Sequence, residues 1–456
     1  MPRSGASAPL AFLVGMSLLA PPAVLAQAAD GSPAAVSPSI ERMEAGAVQW
    51  LARQMVPNPT VPAPESSRRR LLLSYRVPPE DPAYRYIYGR SAIYDDALGA
   101  IAFTMARRYR EAEFLLGAIT RLVRADGGLW FAYNTQNDWP SESDHEGAIV
   151  RTGAVAWAGY ALTYYLQARA LESPEFGSKD PLGIQFRGSA ESIARWLLAR
   201  RVPAGPDPRA ELLTGGSGSS VLAFAEGAAG LMEISNAAEM EWVSTEHNID
   251  AWYFLRDLGR LTGEARYSDA AERIRARVLT LWSEKDGQFI QGIHADRTPD
   301  TALPLDAASW GAIFLLAQDR KAQADRCLQV MESRFAVRVA DLRGYRPYGR
   351  EPVYTDARVN AYYYPSGGGL WSDLPLVWCE GSLGAAAAYI RAGRTGEARL
   401  ILESQAGLAV DGGFRYASMP VPYQFSDHPS VASTAWLVIA AQMLRGSPAG
   451  GLFWGR

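Results

Sequence analysis

Carboxylates recur at the starts of apolar helical runs in this sequence. Tyr94-Asp95-Asp96 opens one run, Glu246-His247-Asn248-Ile249-Asp250 a second and Cys379-Glu380-Gly381-Ser382 another, while Leu305-Asp306-Ala307 opens a fourth. Two carboxyls held apart in a partly dry site can do acid–base chemistry, because burial keeps one protonated while a helix N-terminus holds another ionised. The competing explanation is that an acid at a helix start only caps it. Glu246 and Asp250 resist that explanation, since they are four residues apart on one helix face with His247 and Asn248 between them. Glu380 sits among small residues, which suits a carboxylate lining a pocket. Asp306 reads equally well as a cap. Asp95 and Asp96 are adjacent, about 100° apart on a helix, so one of them faces inward, and Asp96 is preferred. The leading acid–base candidates are therefore Glu246 and Glu380, with Asp96 next. Asp144, Glu146, Asp373 and Asp427 are further acids in the connecting segments.

These residues need elements to position them. Apolar helices are predicted at 92–107, 151–169, 246–262, 305–318, 378–392 and 430–445. Amphipathic helices are predicted at 109–124, 187–201, 266–283, 320–334 and 395–408, with charges on one side, as in Arg273-Ile274-Arg275-Ala276-Arg277. A helix that is apolar all round must be buried all round. Six buried helices and five amphipathic ones make an incomplete double ring. The amphipathic segment Ile40–Met55 supplies the missing outer member and closes it beside 430–445. Segments 202–245 and 335–377 are long connections, and Asp126-Gly127, Asp286-Gly287 and Asp411-Gly412 each begin a small hairpin. Long loops held on a rigid scaffold are where sites lie.

The bulk properties narrow the class. The chain has 456 residues and a net charge of −3 with mixed signs, so nothing suggests a nucleic-acid footprint. Residues 1–26 read as a secretory signal, with Arg3, an apolar run from Leu10 to Ala20 and a Val24-Leu25-Ala26 cleavage pattern. Residues 27–39 read as a disordered lead and 40–456 as one domain. No other run suits a membrane span, so a periplasmic or secreted location is expected. The two cysteines, Cys327 and Cys379, are expected to be unpaired. No HExxH occurs and the histidines are singletons, so neither a metal nor a cofactor is expected. Gly215-Gly216-Ser217-Gly218-Ser219-Ser220 lacks the lysine of a phosphate loop and reads as a flexible lid. No G-x-S-x-G elbow is present.

All four histidines, His145, His247, His294 and His428, fall in the connections or at inner-helix starts. They are expected on one face, around a cleft lined by Trp310 and Trp378. The 13 tryptophans and 21 tyrosines exceed what a core needs. Aromatic platforms edged by carboxylates, Asn and Arg suit the apolar faces and polar rims of sugar rings.

The motifs Tyr94-Asp95-Asp96-Ala97-Leu98, Arg151-Thr152-Gly153, Ser244 to Asp250, Trp378 to Ser382 and Asp411-Gly412-Gly413-Phe414 ahead of Ser430 to Trp436 resemble the six-hairpin, (α/α)6-barrel glycosidase-like superfamily. The resemblance spans residues 40–445 and singles out no family within it. It implies an all-α toroid of about twelve helices, with long loops and small hairpins on one face. It also implies a carbohydrate-active enzyme, a glycoside hydrolase using paired carboxylates at the barrel mouth on a poly- or oligosaccharide. Around Glu246, Glu380 and Asp96, the expected substrate contacts are Tyr94, Asp95, Arg151, His247, Asn248, Asp250, Asp306, Trp310 and Trp378. Two alternatives stay open. A polysaccharide lyase would use His247, Tyr94 and Arg151. A non-catalytic exopolysaccharide-binding or assembly protein would need no paired carboxylates.

Overall fold

The structure, a computed structural model, describes residues 37–57, 59, 70–81, 83–140, 148–224 and 230–455. The expected signal, most of the lead, and Asp144, His145 and Glu146 lie outside the described residues. Twelve helices carry the fold: α1 (Pro38–Gln54), α2 (Ile93–Met105), α3 (Tyr109–Leu122), α4 (Thr152–Ala170), α5 (Pro181–Leu198), α6 (Thr245–Thr262), α7 (Ala265–Val278), α8 (Leu305–Ala317), α9 (Lys321–Val330), α10 (Cys379–Arg391), α11 (Thr395–Ser404) and α12 (Val431–Arg445).

Their composition decides their layer. Five of the even-numbered helices, α2, α4, α8, α10 and α12, carry many Ala, Gly or Ser residues, which lets neighbours approach on every side, whereas α6 has one Ala and one Gly; in α4 burial runs unbroken from Thr152 to Leu166. The others bury one stripe, as α7 does with Tyr267, Ala270, Ala271, Ile274 and Val278. The inner helices pack in sequence order, and α12 returns to α2 to close the ring. Each outer helix packs on an inner one, and α1 packs on α12. That joint carries a buried carboxylate: Glu44 accepts from Arg445 at 2.6 Å and from the Gln442 amide. The all-α toroid expected from the sequence is the architecture observed. No helix among the described residues is long and apolar enough to cross a membrane.

Outer-helix boundaries moved where local chemistry overrode periodicity. α5 starts six residues before the predicted 187, because Asp180 caps the amides of Leu182 and Gly183 and Pro181 takes the first turn. Beyond α9 the chain widens into a π-helical turn, Met331–Phe335. Cys327 and Cys379 are both buried and free.

One hydrogen bond repeats around the mouth. The first amide of each inner helix has no partner within its own helix. Instead it donates to a carbonyl in the connection that follows the next outer helix: Ile93 to Phe131 at 3.0 Å, Thr152 to Gly215 at 3.1 Å, Thr245 to Gln291 at 2.9 Å, Leu305 to Pro347 at 2.8 Å and Cys379 to Tyr416 at 3.0 Å. The sixth, Val431 to Ser74 at 2.9 Å, joins the end of the chain to its beginning. Four helices also use their fourth residue to accept an amide: Asp96 from Leu72, Asn248 from Leu213, Ser382 from Tyr345 and Thr434 from Phe414.

The glycine-rich segment at 215–220 is not a loose lid. It enters a long antiparallel hairpin, β1 (Gly216–Phe224) with β2 (Leu231–Met240). Gly216 is there for close approach: with φ +115°, a Cβ on it would lie 2.2 Å from the Val150 carbonyl oxygen. The tip side of the hairpin reaches the 353–376 connection, where Leu222, Phe224 and Leu231 pack on a second apolar cluster that includes Val353, Tyr354 and Trp371.

The chain end plugs the ring. After Gly446 ends α12, a short helix, Pro448–Leu452, turns Phe453 and Trp454 inward. The Trp454 ring lies 5.0 Å from Tyr253, 5.1 Å from Trp157 and 5.2 Å from Trp310, and its amide donates to the Tyr160 hydroxyl at 2.9 Å. Arg391 holds the approach by donating to the carbonyls of Gly450, Gly451 and Phe453. Truncating so large a buried ring costs about 3–5 kcal/mol. Trp454→Ala is therefore expected to lower unfolding stability by that amount in urea titration. A loss below about 1 kcal/mol would mean that the tail is not part of the core.

Candidate active site

Counted from its first residue, each inner helix turns its second position into the lumen. Those six residues are Tyr94, Gly153, Glu246, Asp306, Glu380 and Ala432, and all of them line one cleft of about 1380 Å3. One helical turn deeper, the sixth positions Trp157, Asp250 and Trp310 line the same cleft. Trp436 occupies the matching place in α12 and stacks on Trp310 at 5.9 Å and 24°. The site is thus layered, with carboxyls and one phenol at the mouth, indoles below them and Trp454 as the plug.

The carboxyls interact at close range. Glu246 and Asp306 lie close enough for each to shift the proton affinity of the other. Burial pushes Glu246 well above the usual carboxylate range, and Asp306, Asp250 and Glu380 push it further. Asp306 rises to about 6 through burial, opposed by the Ala307 amide, which donates to it at 2.8 Å. Asp250 is raised by burial and then by Asp306; the Trp157 indole opposes this, yet neither Asp250 oxygen closes a hydrogen bond of ordinary geometry. Glu380 is lifted to about 7 by burial, although Tyr94 donates to it at 2.6 Å. Tyr94 in turn accepts from the Trp436 indole at 3.0 Å, and burial beside Glu380 raises its phenol far above the ordinary value.

His247 sits behind Glu246. Burial, then the nearby Arg151 charge, depresses it to about 3, so it is neutral. Its ring packs where Gly153 has no side chain: a Cβ there would lie 2.4 Å from His247 Cδ2. Arg151 donates to the Gly218 carbonyl at 2.6 Å and lies 5.9 Å from the Trp242 ring. The glycine of the Arg151-Thr152-Gly153 motif therefore makes room for the histidine of the next inner helix.

The structure brings most of the expected residues together. Tyr94, Asp95, Arg151, Glu246, His247, Asp250, Asp306, Trp310, Trp378 and Glu380 all line the cleft. Asp306 is no cap, since Pro304 holds the cap position of α8. Two expectations are corrected. Asp96 faces away from the lumen, accepting from the Leu72 amide and the Ser91 hydroxyl, each at 2.8 Å; Asp95 lines the cleft instead. Asn248 holds the fourth-position site in α6, bonded to both backbone groups of Leu213 and to the Ser244 carbonyl, so it has nothing left for a ligand. His247 and His428 reach the cleft, and His294 reaches a smaller cavity beside it. Trp157 and Tyr416 line the cleft without having been expected there. Trp157 had a signal: Thr-Gly-Ala-Val-Ala-Trp, Leu-Asp-Ala-Ala-Ser-Trp and Val-Ala-Ser-Thr-Ala-Trp each place Trp sixth in an inner helix.

Solved structures share this architecture. D-mannose isomerase superposes with a TM-score of 0.57 at 12% identity, covering 91% of this chain and 100% of its own. A glycosidase variant in complex with glucose gives 0.55 at 12% identity, covering 89% and 97%. A family 76 glycoside hydrolase from a bovine Bacteroides thetaiotaomicron strain gives 0.56 at 10% identity, covering 89% and 77%. This is the six-hairpin (α/α)6 glycosidase-like fold. By sequence, no family model and no curated protein matches the chain.

Two measurements separate structural from site carboxyls. Asp96→Ala strands the Leu72 amide and the Ser91 hydroxyl and is expected to cost about 1–3 kcal/mol. Asp95→Asn, which removes a carboxyl that burial lifts to about 7, is expected to leave the melting temperature unchanged or higher at neutral pH. Glu380 gives a pH signature. Its folded value of about 7 lies above the ordinary 4.5, so the folded state binds the proton more tightly. The stability this contributes is complete below pH 4.5 and is lost as pH rises through 7. Glu380→Gln should then be more stable than the parent at pH 8 and equal to it near pH 4.5. A parent and variant with parallel pH–stability curves would refute the assignment.

Proposed function

We propose that this protein is an exported glycoside hydrolase acting on a poly- or oligosaccharide. The observation that carries the reading is the mouth layer itself: Glu246, Asp306 and Glu380 on three successive inner helices, facing one lumen above an indole floor. Hydrolysis of a glycosidic bond needs one carboxyl to protonate the leaving oxygen and another, ionised, on the opposite side of the sugar. Glu380, at about 7 and bonded to Tyr94, is suited to the acid role, since it retains a proton near neutral pH. Asp306, at about 6 beside a Glu246 that burial pushes well above the usual range, keeps an ionised oxygen available in the pair as base or nucleophile. Trp157, Trp310 and Trp378 offer apolar surface for sugar rings, and Arg151 and His247 offer polar edges. The neighbours named as glycosidases, one of them holding glucose, support the substrate class. Export rests on the signal-like residues 1–26.

The lyase alternative is less well served. It needs a proton-abstracting base, and of its two candidates Tyr94 is held protonated by burial beside Glu380, while His247, depressed to about 3 by burial, is a weak base. A purely binding protein has no use for buried carboxyls that share protons.

Incubation with a glycan panel, read by reducing-sugar release and ultraviolet absorbance, tests the reading. Glu246→Gln and Glu380→Gln are expected to fold normally and to lose about 10²–10⁴-fold in kcat. The parent's alkaline limb should follow the Glu380 proton near pH 7. Full activity in both variants sinks the assignment, and an unsaturated, absorbing product shows a lyase.

A further inference from the structure

A second cavity, of about 350 Å3, adjoins the main cleft. The two share Trp242, Glu246, His247 and Asp306 as lining, so the Glu246–Asp306 pair faces both spaces. From that pair the small cavity runs outward through a hydrogen-bonded polar chain. The Tyr348 hydroxyl donates to Gln291 Oε1 at 2.9 Å, and Gln291 Nε2 donates to Asp300 at 2.8 Å. His294, over half exposed, stands 3.9 Å from Asp300 at the outer end.

We propose that this side cavity holds the hydrolytic water, delivered to the Glu246–Asp306 pair separately from the sugar, and that the reaction inverts the anomeric centre. The inference rests on the glycoside hydrolase reading. The lining decides between water and a branch sugar. A sugar wants an open aromatic face, and none is free here: Tyr348 stacks on Trp371 at 6.2 Å, while Trp242 is covered by His247 at 5.5 Å and by the close backbone of Gly215. What remains mixes the apolar Val243, Ile293, Pro304 and Ala307 with the polar Ser244, Gln291, His294 and Asp300, which supply the two to four polar partners that water needs. A sugar filling the main cleft leaves this route to the pair open. Water there gives its proton to the ionised member of the pair as its oxygen bonds to the anomeric carbon. The bond to the leaving oxygen breaks, and that oxygen takes the proton of Glu380. One water is consumed, and the two carboxyls exchange their protonation states until solvent restores them. Water delivered by this route attacks from the side of the pair while Glu380 protonates the leaving oxygen, and a direct displacement of that kind inverts the configuration.

Three readouts test this. Proton NMR of the first product should show the inverted anomer; retention overturns the proposal. Ile293 lines the side cavity and not the main cleft, so Ile293→Phe narrows the first alone and Ile293→Val leaves it open. The first is expected to lower kcat roughly tenfold or more with KM unchanged, the second to change neither. A raised KM with kcat kept would mean that the cavity binds sugar, and an unchanged Ile293→Phe would mean that it is off the route; either overturns the proposal. If Ile293→Phe does not fold, the occupancy test still decides. Crystals of Glu380→Gln soaked with oligosaccharide should show water within hydrogen-bonding reach of Glu246 or Asp306 in the side cavity, and a sugar ring or an empty cavity there refutes it. A parent that cuts no glycan sinks the hydrolase reading on its own, whereas retention or an occupied cavity in an active parent sinks only this one.

Discussion

Each inner helix gives its first amide to a carbonyl in the next repeat, and the rest of the architecture hangs on that bond. It satisfies one of the donors that every helix start leaves open. It also sets how far each helix is rotated relative to the next, because the donor lies at a fixed place on the turn. With the first residue anchored six times, the second residue falls into the lumen six times, and in α4, α6 and α8 the sixth residue follows it. The bond from Val431 to Ser74 makes the belt circular, so a segment close to the start of the described chain completes the last repeat.

That register puts three carboxyls and a phenol into one small, poorly solvated layer. Like charges so close cannot all ionise, so protons are shared or retained. The indole floor and the Trp454 plug withhold water from below, which sustains the raised values of Glu246 and Glu380. The raised proton affinity here is a consequence of burial and crowding. The same acids on an exposed helix start would simply cap it.

The long hairpin and the 353–376 connection build on this scaffold. Residues Ser220, Val221, Leu222 and Glu233 of the hairpin line the cleft, as do Tyr354 and Asp356, and the two segments meet through Phe224, Tyr362 and Arg358. The cleft is thereby walled by segments far apart in sequence.

Much of this was written in local pattern. Inner and outer helices differ in composition, so their order, their pairing and the closing role of α1 were legible. So was the shared face of Glu246 and Asp250, which is a matter of spacing alone. The choice between Asp95 and Asp96 was not. Adjacent residues differ by one step of rotation, and only the anchor at Ile93 fixes where that rotation starts. Asn248 misled for the same reason: its type suits a ligand, but its position belongs to the backbone of Leu213. The Trp454 plug was hidden because its partners, Trp157, Tyr253 and Trp310, are all more than a hundred residues away. Sequence by itself determined which residues could be buried and which could carry protons. Tertiary structure decided which of them meet, because rotation about a helix axis and contact across a ring are set by partners that periodicity does not see.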